Sequence, residues 1–398
     1  MAKKLFVTEP ATGQSVPFLR GVLVQSLVAV GLSFSDAYDV AQRIRGLLDP
    51  SEDTFDTTRL RKLVGEELER SFGEETRRAY EAGKEQERPV MVRKSDRDEG
   101  FSVGMLTRHL EGCGIRHEEA QKGARLVQEF LRGRGDSLID HRQLRRVIFQ
   151  TLKSSCCAEA ADRFLSRCRF HDSGEPLIIL IGGATGAGKS TVAARLAYLL
   201  DIVRTQSTDM VREIIRCYLV PHVAPTLGFS SFDAWHGLPA IEPMPGESVT
   251  ENPVVSGFLA QFGTVKVALE ATIYRAVKER HDLIVDGVHV LPTRLDLEAA
   301  RDKAIVVPLV LAVTTLGRLN YQLRRRSREQ PDRGSERHRE ALEGIWELQR
   351  FMIDQAEKGG IPVIANWSVD ETVGQIMDEV MRHISLRFPP GPSGFEEA

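Results

Sequence analysis

The chain has 398 residues, 42% of them hydrophobic and 27% charged, with a net charge of −3. This is the composition of an ordinary globular protein with two or three domains, at roughly 100–200 residues per domain. The near-neutral charge excludes a basic field that would hold nucleic acid non-specifically, and the longest apolar runs, near Leu177–Ile181 and Ile305–Val313, are too short to cross a bilayer.

The N-terminal stretch MAKKLFVTEPATG has two lysines but no apolar core after them, so it does not read as a signal peptide. An internal repeat follows. Phe18, Gly21, Leu23, Leu27, Gly31, Ala37 and Ala41 recur with the same spacing as Phe101, Gly104, Leu106, Leu110, Gly114, Ala120 and Ala124. After a one-residue slip, Leu60, Val64 and Leu68 recur as Leu144, Ile148 and Leu152. Each unit opens with a short apolar stretch (Leu5–Val7, Val90–Val92) and a polar turn, then continues as helices with apolar residues three and four apart. Gly31 and Gly114 stand where a first helix would end in a left-handed cap. The charged segment Gly73–Arg88 reads as a solvated helix or linker. The segments VTEPATGQSVPFLRGVLVQSLVAVG and VRKSDRDEGFSVGMLTRHLEGCG resemble the ATP-cone, a small helical nucleotide-sensing module. The resemblance implies one such unit over residues 1–89 and a second over 90–155, with a regulatory nucleotide there as its expected ligand.

From Glu175 the pattern changes. Apolar runs of strand length, Leu177–Ile181, Ile202–Thr205, Leu283–Val285, Val306–Thr314 and Pro362–Ala365, alternate with amphipathic helices. That order predicts an α/β domain over 175–390, a doubly wound parallel sheet of about five strands connected by right-handed crossovers. Runs apolar throughout suit strands buried on both faces. The end from Phe388 (FPPGPSGFEEA) reads as disordered, with 391–398 as a tail. The five cysteines, Cys113, Cys156, Cys157, Cys168 and Cys217, have no paired CxxC spacing and read as reduced, mostly buried thiols of a cytoplasmic protein.

Gly183-Ala184-Thr185-Gly186-Ala187-Gly188-Lys189-Ser190 fits G-x-x-x-x-G-K-[ST], between an apolar strand and the helix Thr191–Leu200. Glycines let successive backbone N–H groups turn inward around a polyphosphate. The helix N-terminus at Thr191 adds partial positive charge. Lys189 would reach the β- and γ-phosphates of ATP, and the Ser190 hydroxyl would ligate Mg²⁺.

Sites in open parallel sheets lie beyond the carboxyl ends of the strands. Asp209, after the second strand, is there a candidate base or holder of a metal-bound water, and equally an N-cap carboxylate. Arg212 and Arg216 lie one helical turn apart and form an anion clamp if that face points inward. Asp286, at the end of the third strand, fits a magnesium-positioning carboxylate, and His289 either donates to a phosphate or satisfies a loop carbonyl. Arg318, the run Arg324 to Arg328, and Arg333, Arg337 and Arg339 flank the loop QPDRGSE. A basic helix–loop–helix at this point reads as a lid that closes over phosphates and stabilises transition-state charge, with Arg324 and Arg328 as its catalytic candidates.

Residues 176–390 resemble the 2-phosphoglycerate kinase family of archaea, to which a plant family linked to phytic acid is related. The resemblance rests on GGATGAGKST, STDMVREIIR, LIVDGVHVLP, RHREALEGIWELQRFMIDQAEKGGIPVIAN, the stretch Pro225 to Phe232, and Gly257 to Gln261. It implies transfer of the ATP γ-phosphate to a small anionic phosphorylated acceptor, 2-phosphoglycerate giving 2,3-diphosphoglycerate. The region Tyr218–Gln261 would then line the acceptor pocket, with Ser230 and Ser231 as donors. Kinase action on another metabolite, such as an inositol phosphate, and a nucleotide-gated regulatory protein are the alternatives. A nucleic-acid end kinase is opposed by the charge and by the lack of a basic, aromatic-studded stripe. No membrane partner is expected, and a homo-oligomer is compatible with the pattern.

Overall fold

The computed structural model describes residues 6–8, 15–28, 32–48, 54–86, 90–93, 98–134, 138–239, 252–329 and 342–391. They form two compact units, Met1–Phe101 with Phe130–His141, and Ser102–Glu129 with Arg142–Ala398.

In the first unit, β1 (Phe6–Thr8) pairs antiparallel with β2 (Ser15–Pro17) and parallel with β3 (Thr54–Asp56). The helices are α1 (Arg20–Val28), α2 (Phe34–Leu47), α3 (Thr57–Phe72) and α4 (Glu74–Gln86). Leu27, Ala37, Ala41, Ile44, Val64 and Leu68 are fully buried in one core, so the helical spacing of these residues is what seals it. The charged segment between the repeats is α4: Tyr80 enters the core, while Arg77 faces outward and pairs with Glu69 and Glu81. The second small sheet of this unit repeats the arrangement: β4 (Met91–Arg93) runs antiparallel to β5 (Asp98–Gly100) and parallel to β6 (Leu138–Asp140). The repeated sequence therefore gives the same three-stranded topology twice.

The second unit contains α5 (Val103–Glu111), most of α6 (His117–Gly133) and α7 (His141–Ser155), then α8 (Ala158–Ser173). Leu110, Ala120, Ala124 and Leu152, the counterparts of Leu27, Ala37, Ala41 and Leu68, are fully buried as well. Gly114 has the expected left-handed φ of 74° after α5. Gly31 lies outside the described residues.

The five-stranded sheet has the order β11-β10-β7-β9-β8, every pair parallel. Its strands are β7 (Leu177–Gly182), β8 (Thr205–Ser207), β9 (Leu283–Asp286), β10 (Ile305–Ala312) and β11 (Val363–Ala365). Along β7, Leu177, Ile179 and Ile181 join one core with Leu196 of α9 (Lys189–Leu200) and Val380 of the last helix, Val369–Arg387. Ile178 and Leu180 join the opposite core with Phe258, Phe262 and Leu269 of α11 (Pro253–Glu279). Alternate side chains point to opposite faces of a strand, and both faces here are covered, which is why the strands read as continuous apolar runs.

Two expectations are corrected. The run Ile202–Thr205 is not the second strand, which occupies Thr205–Ser207. Asp201 takes the left-handed φ of 60° that closes α9, and Ile202 donates its N–H to Ala197 O and buries its side chain as the cap's apolar contact. The segment from Phe388 is not loose at its start: Phe388 packs on Phe170 with centroids 5.9 Å apart, and Arg169 donates to Pro389 O at 2.6 Å. Residues 392–398 lie outside the described residues.

One described helix, Pro253–Glu279, is long and apolar enough to cross a bilayer by length and composition, which the short runs in the sequence did not reveal. Its Phe258, Phe262, Leu269 and Ile273 are buried against the sheet. The thiols are also less hidden than expected. Cys113 and Cys168 are buried, and burial pushes them up to about 12 and about 11 respectively, but Cys157 and Cys217 are exposed.

Candidate active site

The parallel register sets Ile181, Asp286 and Ser207 in one row at the carboxyl edge of the sheet. The glycine-rich loop, Asp286 and Asp209 therefore come together although they are far apart in sequence. Gly183, Gly186 and Gly188 have φ of 143°, 84° and 83°, conformations that residues with a Cβ avoid. A Cβ on Gly183 would also stand 2.4 Å from Leu311 O. Asn366, just after β11, braces the loop from outside. Its amide donates to Ala187 O at 2.8 Å and its Oδ1 accepts from Thr372 at 3.0 Å. The sequence reading gave Asn366 no role, although it closes one of the stretches that carry the family resemblance and directly follows the last strand.

Lys189 is the first residue of α9, and its Nζ donates to Ala184 O at 2.8 Å, so the ammonium group lies over the loop. Ser190 Oγ donates to Asp286 Oδ2 at 2.8 Å, and Asp286 is buried. A hydroxyl and one carboxylate beside a phosphate cradle suit Mg²⁺, which takes few protein ligands and keeps waters and phosphates for the rest. Among the described residues no cluster of three or more His, Cys, Asp or Glu forms an all-protein cage. Thr191 follows on the exposed first turn of α9.

Asp209 is not the N-cap of α10 (Thr208–Tyr218). Ser207 takes that role, its Oγ accepting from the Asp209 N–H at 3.3 Å. The Asp209 carboxylate is exposed in the first turn of the helix. Arg212, half-buried, donates to Phe229 O and, at 2.8 Å, to Glu213, while its Nε has no hydrogen-bond partner. Arg216 is exposed and also pairs with Glu213 at 2.8 Å. Glu213 thus stands between the two arginines expected as a clamp and offsets part of their charge; the sequence reading did not weigh it. Ser230 and Ser231, which follow Phe229 in the chain, are half-buried and buried respectively.

His289 is inside. It is 1% exposed, with Nε2 at 2.8 Å from Gln261 Oε1 and Nδ1 at 3.3 Å from Thr208 Oγ1. Both ring nitrogens are engaged by protein, so neither is turned to a ligand. Burial pulls its pKa down to about 4, opposed by Asp209 and assisted by Arg212 and Lys189. The unfolded chain binds this proton near 6.5 and the folded chain only near 4. The contribution to stability is therefore complete above 6.5 and disappears as pH falls from 6.5 to 4, about 3 kcal/mol in all. Urea unfolding across this window should show a steeper loss for the wild type than for His289→Gln, and equal slopes would contradict the burial of a neutral imidazole.

The helix α12 (Leu316–Glu329) rests on the loop, since a Cβ on Gly186 would meet Leu323 at 3.0 Å and Leu319 at 3.1 Å. Arg324, next to Leu323, is exposed. Arg318 lies with its guanidinium 5.3 Å over the Trp367 ring and donates to Trp367 O. The side chain of Arg328 and the residues Arg333, Arg337 and Arg339 lie outside the described residues. A cavity of about 380 Å³ lined by Arg301, Arg382 and Arg387 opens at the amino ends of β10 and β11, the sheet edge away from this chemistry. Its Arg382 and Arg387 are already paired with Glu379 and Glu175.

Residues 161–221, which carry the loop and Asp209, match the Zeta toxin family. The chain is 34% identical over 282 residues to a 2-phosphoglycerate kinase of Pyrococcus horikoshii, covering 71% of this chain and 90% of that one. It is 33% identical over 294 residues to the 2-phosphoglycerate kinase of Methanopyrus kandleri, with 74% and 87% covered. A solved structure of shikimate kinase from Bacteroides thetaiotaomicron is 14% identical and covers 51% of this chain and 98% of its own, with a TM-score of 0.29.

Proposed function

Since the chain belongs to the 2-phosphoglycerate kinase family and is an ATP-dependent phosphotransferase, we propose that its acceptor is 2-phosphoglycerate and its product 2,3-diphosphoglycerate. The observation that carries the reading is the 2.8 Å contact of Ser190 with Asp286, next in sequence to Lys189, with Ser207, two residues before Asp209, paired in register with Asp286.

In this reading the loop amides of Gly183–Ser190 and Lys189 grip the β- and γ-phosphates. Mg²⁺, held by Ser190 and through water by Asp286, would neutralise phosphate charge. The acceptor hydroxyl oxygen bonds to the γ-phosphorus as the bond to the β,γ-bridging oxygen breaks, and ADP leaves with that electron pair. The hydroxyl proton passes to the Asp209 carboxylate. Arg212, with its unpartnered Nε, attracts the acceptor's own phosphate or carboxylate, Arg216 adds to the field, and Ser230 and Ser231 supply hydroxyl donors. Arg324 and Arg328 come from the lid segment to cover the transferring group. His289 supports this seat from behind.

The N-terminal repeats read as two ATP-cone-like units, over residues 1–89 and 90–155, that take a regulatory nucleotide. The match to the P. horikoshii kinase leaves a larger share of this chain than of that one uncovered, which accords with an additional unit here. Cytoplasmic residence completes the reading, and a homo-oligomer is compatible with it. The test is a metabolite panel with ATP and Mg²⁺, read by mass spectrometry for a gain of one phosphate. We expect 2-phosphoglycerate to exceed 3-phosphoglycerate and inositol phosphates in kcat/KM by at least about 100-fold, on the scale that misplaced buried polar contacts cost. Preference for an inositol phosphate would replace the acceptor and leave the phosphate site standing.

A further inference from the structure

The buried cluster behind the acceptor side has a single consistent hydrogen-bond assignment. Gln261 Nε2 donates to two carbonyls, Thr226 O at 2.6 Å and Phe229 O at 3.0 Å. Its Oε1 therefore faces His289 and can only accept, which places the imidazole proton on Nε2. Nδ1 is then an acceptor for the Thr208 hydroxyl, and the same hydroxyl oxygen accepts the His289 backbone N–H at 3.4 Å. Gln261 and Thr208 are both fully buried. The loop comes this close because residue 287 is glycine, with φ of 155°; a Cβ there would stand 1.7 Å from Thr208 Oγ1.

Three elements meet at one ring. His289 follows the strand that ends in Asp286. Thr208 is the backbone neighbour of Asp209. Gln261 fixes the segment 226–229, and Phe229 O in turn receives the Arg212 guanidinium. We propose that His289 is a positioning residue that holds the acceptor seat in register with the phosphate loop by clamping Thr208 on one side and Gln261 on the other. It does not touch the reacting atoms. The charged groups that face it are Asp209, Arg212 and Lys189. The proposal rests on the roles given above to Asp209 and Arg212, and deepens them.

Displacing a reacting group by about 1 Å costs up to about 100-fold in rate. His289→Phe keeps the ring and removes both bonds. It should lower kcat about 10- to 100-fold and raise the acceptor KM, with the ATP KM unchanged. His289→Gln retains an N–H donor toward Gln261 and should recover part of that loss. Gln261→Met, which leaves the histidine in place, should reproduce the defect, and the double variant should be no worse than the more impaired single one, because the two residues act as a unit. If His289→Phe does not fold, Gln261→Met and His289→Gln carry the same comparison. Folded variants with wild-type kcat and acceptor KM, or losses that multiply in the double variant, overturn the proposal. An Asp209→Asn protein that keeps full rate would remove the reading beneath it, whereas an inactive Asp209→Asn beside a fully active His289→Phe sinks the positioning role alone.

Discussion

Lys189→Ala should lower kcat by about 10²–10³-fold, the usual cost of removing one pre-organised charge from a transferring group. The amine is held over the loop by Ala184 O at 2.8 Å, so in the proposed role it stands at the loop before a polyphosphate binds. The cradle itself is made of backbone N–H groups and glycine conformations that the substitution leaves alone. ATP affinity should therefore fall less than the rate, and thermal unfolding should stay within a few degrees of wild type. Steady-state kinetics and calorimetric ATP titration on the same preparation separate the two. A rate within about threefold of wild type would show that Lys189 does not stabilise the transition state.

Asp209→Asn should be as damaging, about 10²–10⁴-fold in kcat, as expected for loss of a general base. The substitution keeps the shape of the side chain. It also spares the helix start, because Ser207 and not Asp209 caps α10. The stability change should be limited to the interaction of one exposed carboxylate with the helix dipole, about 0.3–1 kcal/mol. Nearly unchanged unfolding with a large fall in rate is thus the signature of chemistry at Asp209. A fall in rate matched by a fall in stability would point to a scaffold role instead.

The sheet was legible where a strand is buried on both faces and therefore written as an apolar run, as in Leu177–Ile181 and Ile305–Ala312. It was misread at Ile202–Thr205 because an apolar helix cap and an apolar strand have the same local composition, and only the left-handed Asp201 separates them. The phosphate loop was legible because its chemistry forces residue types at fixed spacing. Asp209 and Asp286 could be found from their places at or just beyond strand ends, and the register of β8 on β9 sets Ser207, two residues before Asp209, beside Asp286. Asn366, Thr208 and Gln261 lie in stretches that carry the family resemblance, but what each does could not be read from the sequence. Each acts through a hydrogen bond to a partner distant in sequence, and a single polar letter carries no trace of that partner. Glu213 was overlooked for a simpler reason, since two arginines on one helix face invite a clamp until the acid between them is seen to take both.

The most direct measurement is to follow the label from γ-phosphate-labelled ATP, with Mg²⁺ and 2-phosphoglycerate, through a single turnover of the full-length protein. The label should appear in 2,3-diphosphoglycerate in amounts equal to the ADP formed, and Lys189→Ala and Asp209→Asn should slow its appearance without changing the product. Label found only in inorganic phosphate, or retained in ATP that is bound by well-folded protein, would contradict transfer to this acceptor.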